Sequence, residues 1–361
     1  MEAENEFVAV DTITSTKSET IKGRFSNIEL LRIVLMIMIV LWHLLVHGKY
    51  HVFSSNWTLS DYVDLSVLSI LFFHVNTFVF ISGYFGVSYK PKKIFSFYIT
   101  CLLCSLVGVV LAVIHGTYDP LQLLNALLMP IGGPVSKAWF ACEYFALLLY
   151  APLLNAGIER INRFQFTLIL CVLFFSIFGL FPCICGYDHS TFNFIFMYLL
   201  GRYIHKYSES WFTSCRRRTL LLFLGLLLLN VLTVLIIPER WHHYFFFYSN
   251  PLAIISAVFM FFVFKNIRIS PNRFINSLAS GVFVVYLLTE ASPVGDAFYA
   301  YADYWLNSST GLLALLAIVL TIVISEMDWC ARYVLHPLEN RVYLVMGNKL
   351  KAVYNKFVSV D

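Results

Sequence analysis

Charge is scarce in this chain. Asp, Glu, Lys and Arg make up 13% of its 361 residues, about half the roughly 25% typical of a soluble domain. That deficit excludes a water-soluble globular fold. The N-terminal stretch "MEAENEFVAVDTITSTKSETIKGR" has no apolar run. It therefore offers no secretory h-region and reads as a soluble tail, with the first helix as an uncleaved anchor. No repeat of about 20–50 residues is visible, and no long linker or low-complexity tract breaks the chain. The net charge of +4 is small; its placement matters more than its sum, and no nucleic acid is expected as a partner. Cys101 and Cys104 form a CxxC inside "ITCLLCSL", where cysteine acts as a small hydrophobe rather than a redox pair.

What is abundant is apolar. Hydrophobic residues reach 59%, with 34 Phe and 21 Tyr, a composition suited to lipid contact and interfacial aromatic belts. Ten apolar runs stand out, at 28–47, 65–86, 94–115, 138–157, 166–184, 191–205, 218–237, 250–265, 276–292 and 310–329. Most approach the ~20 residues that a bilayer-crossing helix needs. The expected fold is all-α, a polytopic membrane bundle of about ten transmembrane helices. Placing the N terminus in the cytoplasm puts twenty Lys and Arg on that side and only Lys49, Lys137 and Arg240 on the other. So strong an alternation predicts an even number of spans and two cytoplasmic ends. The expected organisation is a polar tail at 1–26, a membrane domain at 27–335 and a basic tail at 336–361. External loops carry Trp57, Asp61 and Asp64, and Asp296, Tyr299, Tyr301, Asp303, Tyr304 and Trp305. Aromatic and carboxylate residues together can hold a sugar, but for the aromatics alone an interfacial belt is the favoured reading.

The first span, "NIELLRIVLMIMIVLWH", contains Glu29, Arg32 and His43. Arg32 and His43 lie close to three whole turns apart, which places them on one helix stripe with ~16 Å between them. Glu29 sits one turn before Arg32 and can pair with it. A charge at membrane depth costs several kcal/mol and ordinarily faces a protein interior or a watery cavity. Near the cytoplasmic interface, snorkelling excuses part of that cost for Arg32. Imidazole can take a proton from a hydroxyl near neutral pH, and guanidinium forks onto phosphate. The pair suits a group transfer from an anionic donor. His47 and His51 extend the His43 row, but the helix is expected to break near Gly48 and the row holds no carboxylate. No metal is assigned.

At these residues the chain resembles the acyltransferase 3 family of integral membrane O-acyltransferases. Arg32 and His43 match the family's Arg-x10-His pattern, with Glu29 at its preceding acidic position. "FVFISGYF", "KAWFACEYFALLLYAPLLN", "FMYLLGRYIH" and "FVVYLLTEASP" are similar to later family segments. The likeness covers about residues 24–345. It implies a ten-helix bundle in the bacterial cytoplasmic membrane, in contact with membrane lipids. It would pass an acyl group, commonly acetyl, from acyl-CoA as co-substrate to a hydroxyl of a surface polysaccharide or its lipid-linked precursor. By position, His43 becomes the essential histidine and Arg32 a donor-binding residue; Ser82 and Gly83 fall in the second-helix motif. Where the family often has Tyr-Leu-Ile-His, this chain has Tyr286-Leu287-Leu288 followed by Thr289 and Glu290. Glu290 is a candidate replacement partner. The basic pair after the second helix is represented by Lys90, Lys92 and Lys93, and no C-terminal hydrolase-like domain is expected.

The remaining polar residues extend the candidate set. Glu143, an intramembrane carboxylate, joins His43 and Glu290 as a catalytic candidate. Arg202 joins Arg32 at the donor phosphates. Glu29, His74, Asn76, Ser82 and Trp139 are substrate-side candidates. His242 and His243 are expected to be solvated. The rival reading is a transporter or flippase for a polysaccharide precursor, which would show paired repeats or broken helices.

Overall fold

The computed structural model describes residues 25–48, 58–88, 90–114, 116, 119–128, 138–180, 190–290, 295, 298–299, 302 and 309–358. The loop candidates Trp57, Asp296, Tyr301, Asp303, Tyr304 and Trp305, together with His51 and Lys137, lie outside the described residues. Among the described residues there is no strand. The main helices are α1 (Ser26–His43), α2 (Leu59–Leu71), α3 (His74–Phe85), α4 (Pro91–Ile114), α5 (Trp139–Arg160) and α6 (Arg163–Phe175). They are followed by α7 (Thr191–Tyr207), α8 (Arg216–Ile236), α9 (Pro251–Lys265), α10 (Arg273–Glu290) and α11 (Thr310–Val358). Six helical segments are long and apolar enough to cross a membrane, and two more, at 163–178 and 251–265, are shorter and apolar. Helices α7 and α10 occupy the two remaining expected spans.

The boundaries differ from the apolar runs where polar residues shape the backbone. The second span begins at Leu59 rather than near residue 65, because Thr58 and Asp61 form a reciprocal capping box that satisfies free N–H groups of the first turn. It breaks at Phe72–Phe73 into α2 and α3. Helix α1 does not stop at His43 but widens into a π turn over Leu44–Gly48. The last span does not end near residue 329: α11 runs on through Pro337 to Val358, so most of the residues read as a basic tail are helical. Hydropathy reports only the apolar part of such a helix.

Burial separates a centre from a shell. The apolar windows of Ser26–His47 and Leu59–Phe85 are 67% and 72% buried, against 22% for α4, α5, α8 and the membrane part of α11. Leu31 and Leu35 of α1 and Phe80 of α3 have no exposed surface. The outer helices present Val107, Leu153, Leu228 and Ile318 outward, the side that lipid covers.

Polar contacts at both ends fix α1 beside α10, running the same way. At the start, Ser26 Oγ donates to Asn276 Oδ1 (3.0 Å) and accepts from Asn272 N–H (2.8 Å). Asn27 Nδ2 donates to the carbonyls of Phe264, Lys265 and Ile267, tying α1 to the α9–α10 connection. At the far end His43 meets Glu290.

Helices α3 and α7 approach most closely through glycine. A Cβ on Gly83 would stand 2.2 Å from the Tyr198 carbonyl oxygen, and one on Gly201 2.6 Å from the Tyr84 nitrogen. Without Cβ atoms the two backbones touch, the small-residue packing common between membrane helices. Gly201→Ala is expected to cost about 1–3 kcal/mol by overpacking, read as a lower melting temperature in detergent. Gly225→Ala, with open space at its Cβ, is expected to leave melting unchanged or raise it.

Candidate active site

Two clusters sit at opposite ends of α1. The first surrounds Arg32. Its Nη1 contacts Glu29 Oε1 at 2.7 Å; Glu29 is buried, while the Arg32 side chain keeps 35% of its surface. The pairing is the expected one-turn contact, and it leaves the rest of the guanidinium facing a cavity of about 210 Å³. Lys90, Lys93, Ser82 and Tyr144 also line this cavity. Ser82 Oγ and Tyr144 OH are 3.0 Å apart, linking α3 to α5. Three cationic side chains around one small cavity make it a site for anionic oxygens.

Arg202 does not line the cavity but lies directly behind it. A Cβ on Gly86 would be 3.0 Å from Arg202 Nη1, and Gly86, at φ +74°, both ends α3 and lines the cavity wall. A positive φ favours glycine there, and the missing side chain admits the guanidinium. Arg202 Nε is buried with no hydrogen-bond partner among the described residues.

The second cluster surrounds His43. Its Nδ1 lies 2.8 Å from Glu290 Oε1, and the two side chains retain 12% and 9% of their surface. Nδ1 makes no well-aligned hydrogen bond, so this is a close imidazole–carboxylate contact more than a straight hydrogen bond. Tyr299 OH donates to the same Glu290 oxygen at 2.7 Å. His47, across the π turn, packs 5.6 Å from the His43 ring and 5.3 Å from Tyr299. A buried carboxylate held by a phenol and facing an imidazole nitrogen can steady an imidazolium while the other nitrogen, Nε2, handles a proton.

The other candidates go elsewhere. Glu143 accepts from Thr191 Oγ1, linking α5 to α7. His74 is buried, with Nδ1 2.6 Å from the Leu71 carbonyl oxygen. Asn76 Nδ2 donates to the Tyr248 carbonyl (2.8 Å) and Asn76 Oδ1 accepts from Asn193 Nδ2 (3.1 Å), an interhelical bridge. Trp139, the first residue of α5, packs its ring 5.4 Å from Tyr248. In the loops, Asp61 caps α2 and Asp64 is buried, accepting from Thr310. His242 is buried rather than solvated. Tyr299, read in the sequence as a loop aromatic of an interfacial belt or a sugar-holding surface, is instead a buried partner of Glu290. Its role has no local signal, since it depends on where the loop returns.

These features define a helical membrane protein with a basic cavity at one end of a central helix and a buried imidazole–carboxylate pair at the other. A family model described as an acyltransferase domain matches residues 25–326; the chain belongs to the acyltransferase 3 family and is a membrane acyltransferase. No curated protein and no solved structure matches it.

The Glu29–Arg32 contact carries a stability prediction. Arg32→Gln strands a buried carboxylate and is expected to destabilise by about 3 kcal/mol. The double variant Glu29→Gln/Arg32→Gln is expected to recover most of that loss in a detergent melting curve.

Proposed function

We propose that this protein moves an acyl group, acetyl by preference, from cytoplasmic acyl-CoA to a hydroxyl of a surface polysaccharide or its lipid-linked precursor in a bacterial cytoplasmic membrane, with both termini cytoplasmic. The carrying observation is the division of labour along α1: a cationic cavity at Arg32 and a histidine–carboxylate pair at His43.

Arg32, Lys90 and Lys93 hold the donor's phosphates, with Arg202 adding positive potential through the Gly86 gap. The ~16 Å from Arg32 to His43 approximates the reach of an extended pantetheine arm, well short of the ~30 Å hydrocarbon core. The donor therefore enters the protein rather than crossing it. At His43, Nε2 takes the proton of the acceptor hydroxyl as its oxygen attacks the thioester carbon. The C–S bond breaks, a C–O ester bond forms, and the imidazolium returns its proton to the CoA thiolate. Glu290, held by Tyr299, stabilises the imidazolium through that cycle.

His43→Ala is expected to lower acyl transfer by about 10²–10⁴-fold while the protein still melts as a folded species. The measurement is acyl content of the surface glycan by mass spectrometry in cells carrying either form. Full acylation with His43→Ala would sink the assignment, and glycan lost altogether would indicate transport instead. In the Glu29→Gln background, which removes the stranded carboxylate, Arg32→Gln is expected to raise KM for acyl-CoA more than it lowers kcat.

A further inference from the structure

Five aromatic rings form a closed circuit between the two clusters. Phe140 stacks on Tyr144 with centroids 5.7 Å apart. Tyr144 meets Phe97 at 5.8 Å, and Phe97 stacks on Phe283 at 4.9 Å. Phe283 stacks on Tyr286 at 6.3 Å, and Tyr286 returns to Phe140 edge-on at 5.6 Å. Helices α4, α5 and α10 each contribute, and every separation lies in the contact range for aromatic pairs.

The circuit begins at the cavity on α4 and α5 and lies next to Glu290 on α10. On α4, Lys93 lines the cavity and Phe97 lies one turn, ~6 Å, beyond it. On α5, Tyr144 lines the cavity and Phe140 lies one turn further towards the helix start. On α10, Tyr286 precedes Glu290 by one turn. The ring contacts therefore run from the cavity through Tyr144 and Phe140 to Tyr286, which stands one turn before Glu290, the partner of His43.

Two phenols fasten the circuit. Tyr286 OH accepts from the Phe140 backbone N–H at 3.2 Å, one of the donors left over at a helix start. Tyr144 OH is bonded to Ser82. Each such bond contributes only about 1 kcal/mol net, so the rings are held together by contacts that a bound donor can displace.

Building on the acyl-CoA reading above, we propose that this ring circuit is the passage by which the acyl group reaches His43, and that it sets the length of acyl chain transferred. A two-carbon group passes between parted rings; a longer chain requires them to separate further, against their packing.

The test uses full-length protein in membrane vesicles from the producing cells, supplied with radiolabelled acetyl-, butyryl- or hexanoyl-CoA, with label read in the polysaccharide fraction. Wild type is expected to favour acetyl over butyryl by about tenfold or more, the scale on which pockets discriminate methylenes. Phe283→Ala on α10 and Phe97→Ala on α4 are expected to raise the butyryl-to-acetyl ratio about tenfold. Leu153→Ala, on the exposed face of α5, is expected to leave it unchanged. Melting curves accompany each variant, and Phe283→Leu and Phe97→Leu carry the test if the alanine forms unfold. Folded variants that transfer acetyl with an unaltered ratio overturn the passage but leave the acyltransferase reading standing. The same holds for wild type that uses hexanoyl as readily as acetyl. No label from any acyl-CoA with folded wild type overturns the donor assignment, and the passage with it.

Discussion

The parallel seating of α1 on α10 is the constraint on which the rest of the architecture depends. Ser26 with Asn276 and Asn272 sets its register at one end, and His43 with Glu290 closes it at the other. A slip of one residue would turn Glu290 by about 100° away from His43 and leave a carboxyl group at membrane depth without that polar partner. Few errors are costlier in a bilayer, where bare charges find no water to pair with. The His43–Glu290 contact therefore acts as a check on helix register, and Asn27, bonded to three carbonyls at the end of α9 and just beyond it, extends that register to a third helix.

The remaining packing protects this pair of helices. The α1 window and the broken α2–α3 span are mostly buried, whereas α4, α5 and α8 turn apolar flanks outward. Central helices can then carry Glu29, Arg32, His43 and Glu290, because neighbours rather than lipid surround them. The glycine contact of α3 with α7 serves the same end. It draws α7 close enough for Arg202 to reach the space left at Gly86, behind the basic cavity.

The sequence made the centre of the site legible because one helix carries two of its residues. Arg32 and His43 share a stripe through simple helical spacing, and Glu29 follows from its one-turn separation. Glu290 was visible as an awkward intramembrane carboxylate, but its partner was not. Choosing between Glu143 and Glu290 needs the α1–α10 register, which no local pattern encodes; the structure gives Glu143 to Thr191 and Glu290 to His43. His74 and Asn76 illustrate the complementary difficulty. Buried polar groups that hold helices together by backbone hydrogen bonds look, in one dimension, like groups that line a cavity. The spans were legible from hydropathy alone, while the early start of α2 and the long run of α11 were not, since polar helical residues carry no apolar signal.

If the basic cavity holds the donor, as proposed, a layer of rings between it and the imidazole has a chemical consequence. A thioester beside an activated histidine would be open to hydrolysis wherever water reached the same space, and excluding water is a general condition for such chemistry. Phe140, Tyr286 and Phe283 are apolar over most of their surface and pack ring against ring, one turn of α10 from Glu290. On that proposal the same rings would keep the waiting thioester dry and admit it only when a donor fills the basic cavity. Binding energy spent on CoA phosphates, remote from the reacting carbon, would then be used to open the path, which is how contacts distant from the chemistry raise rate rather than affinity alone.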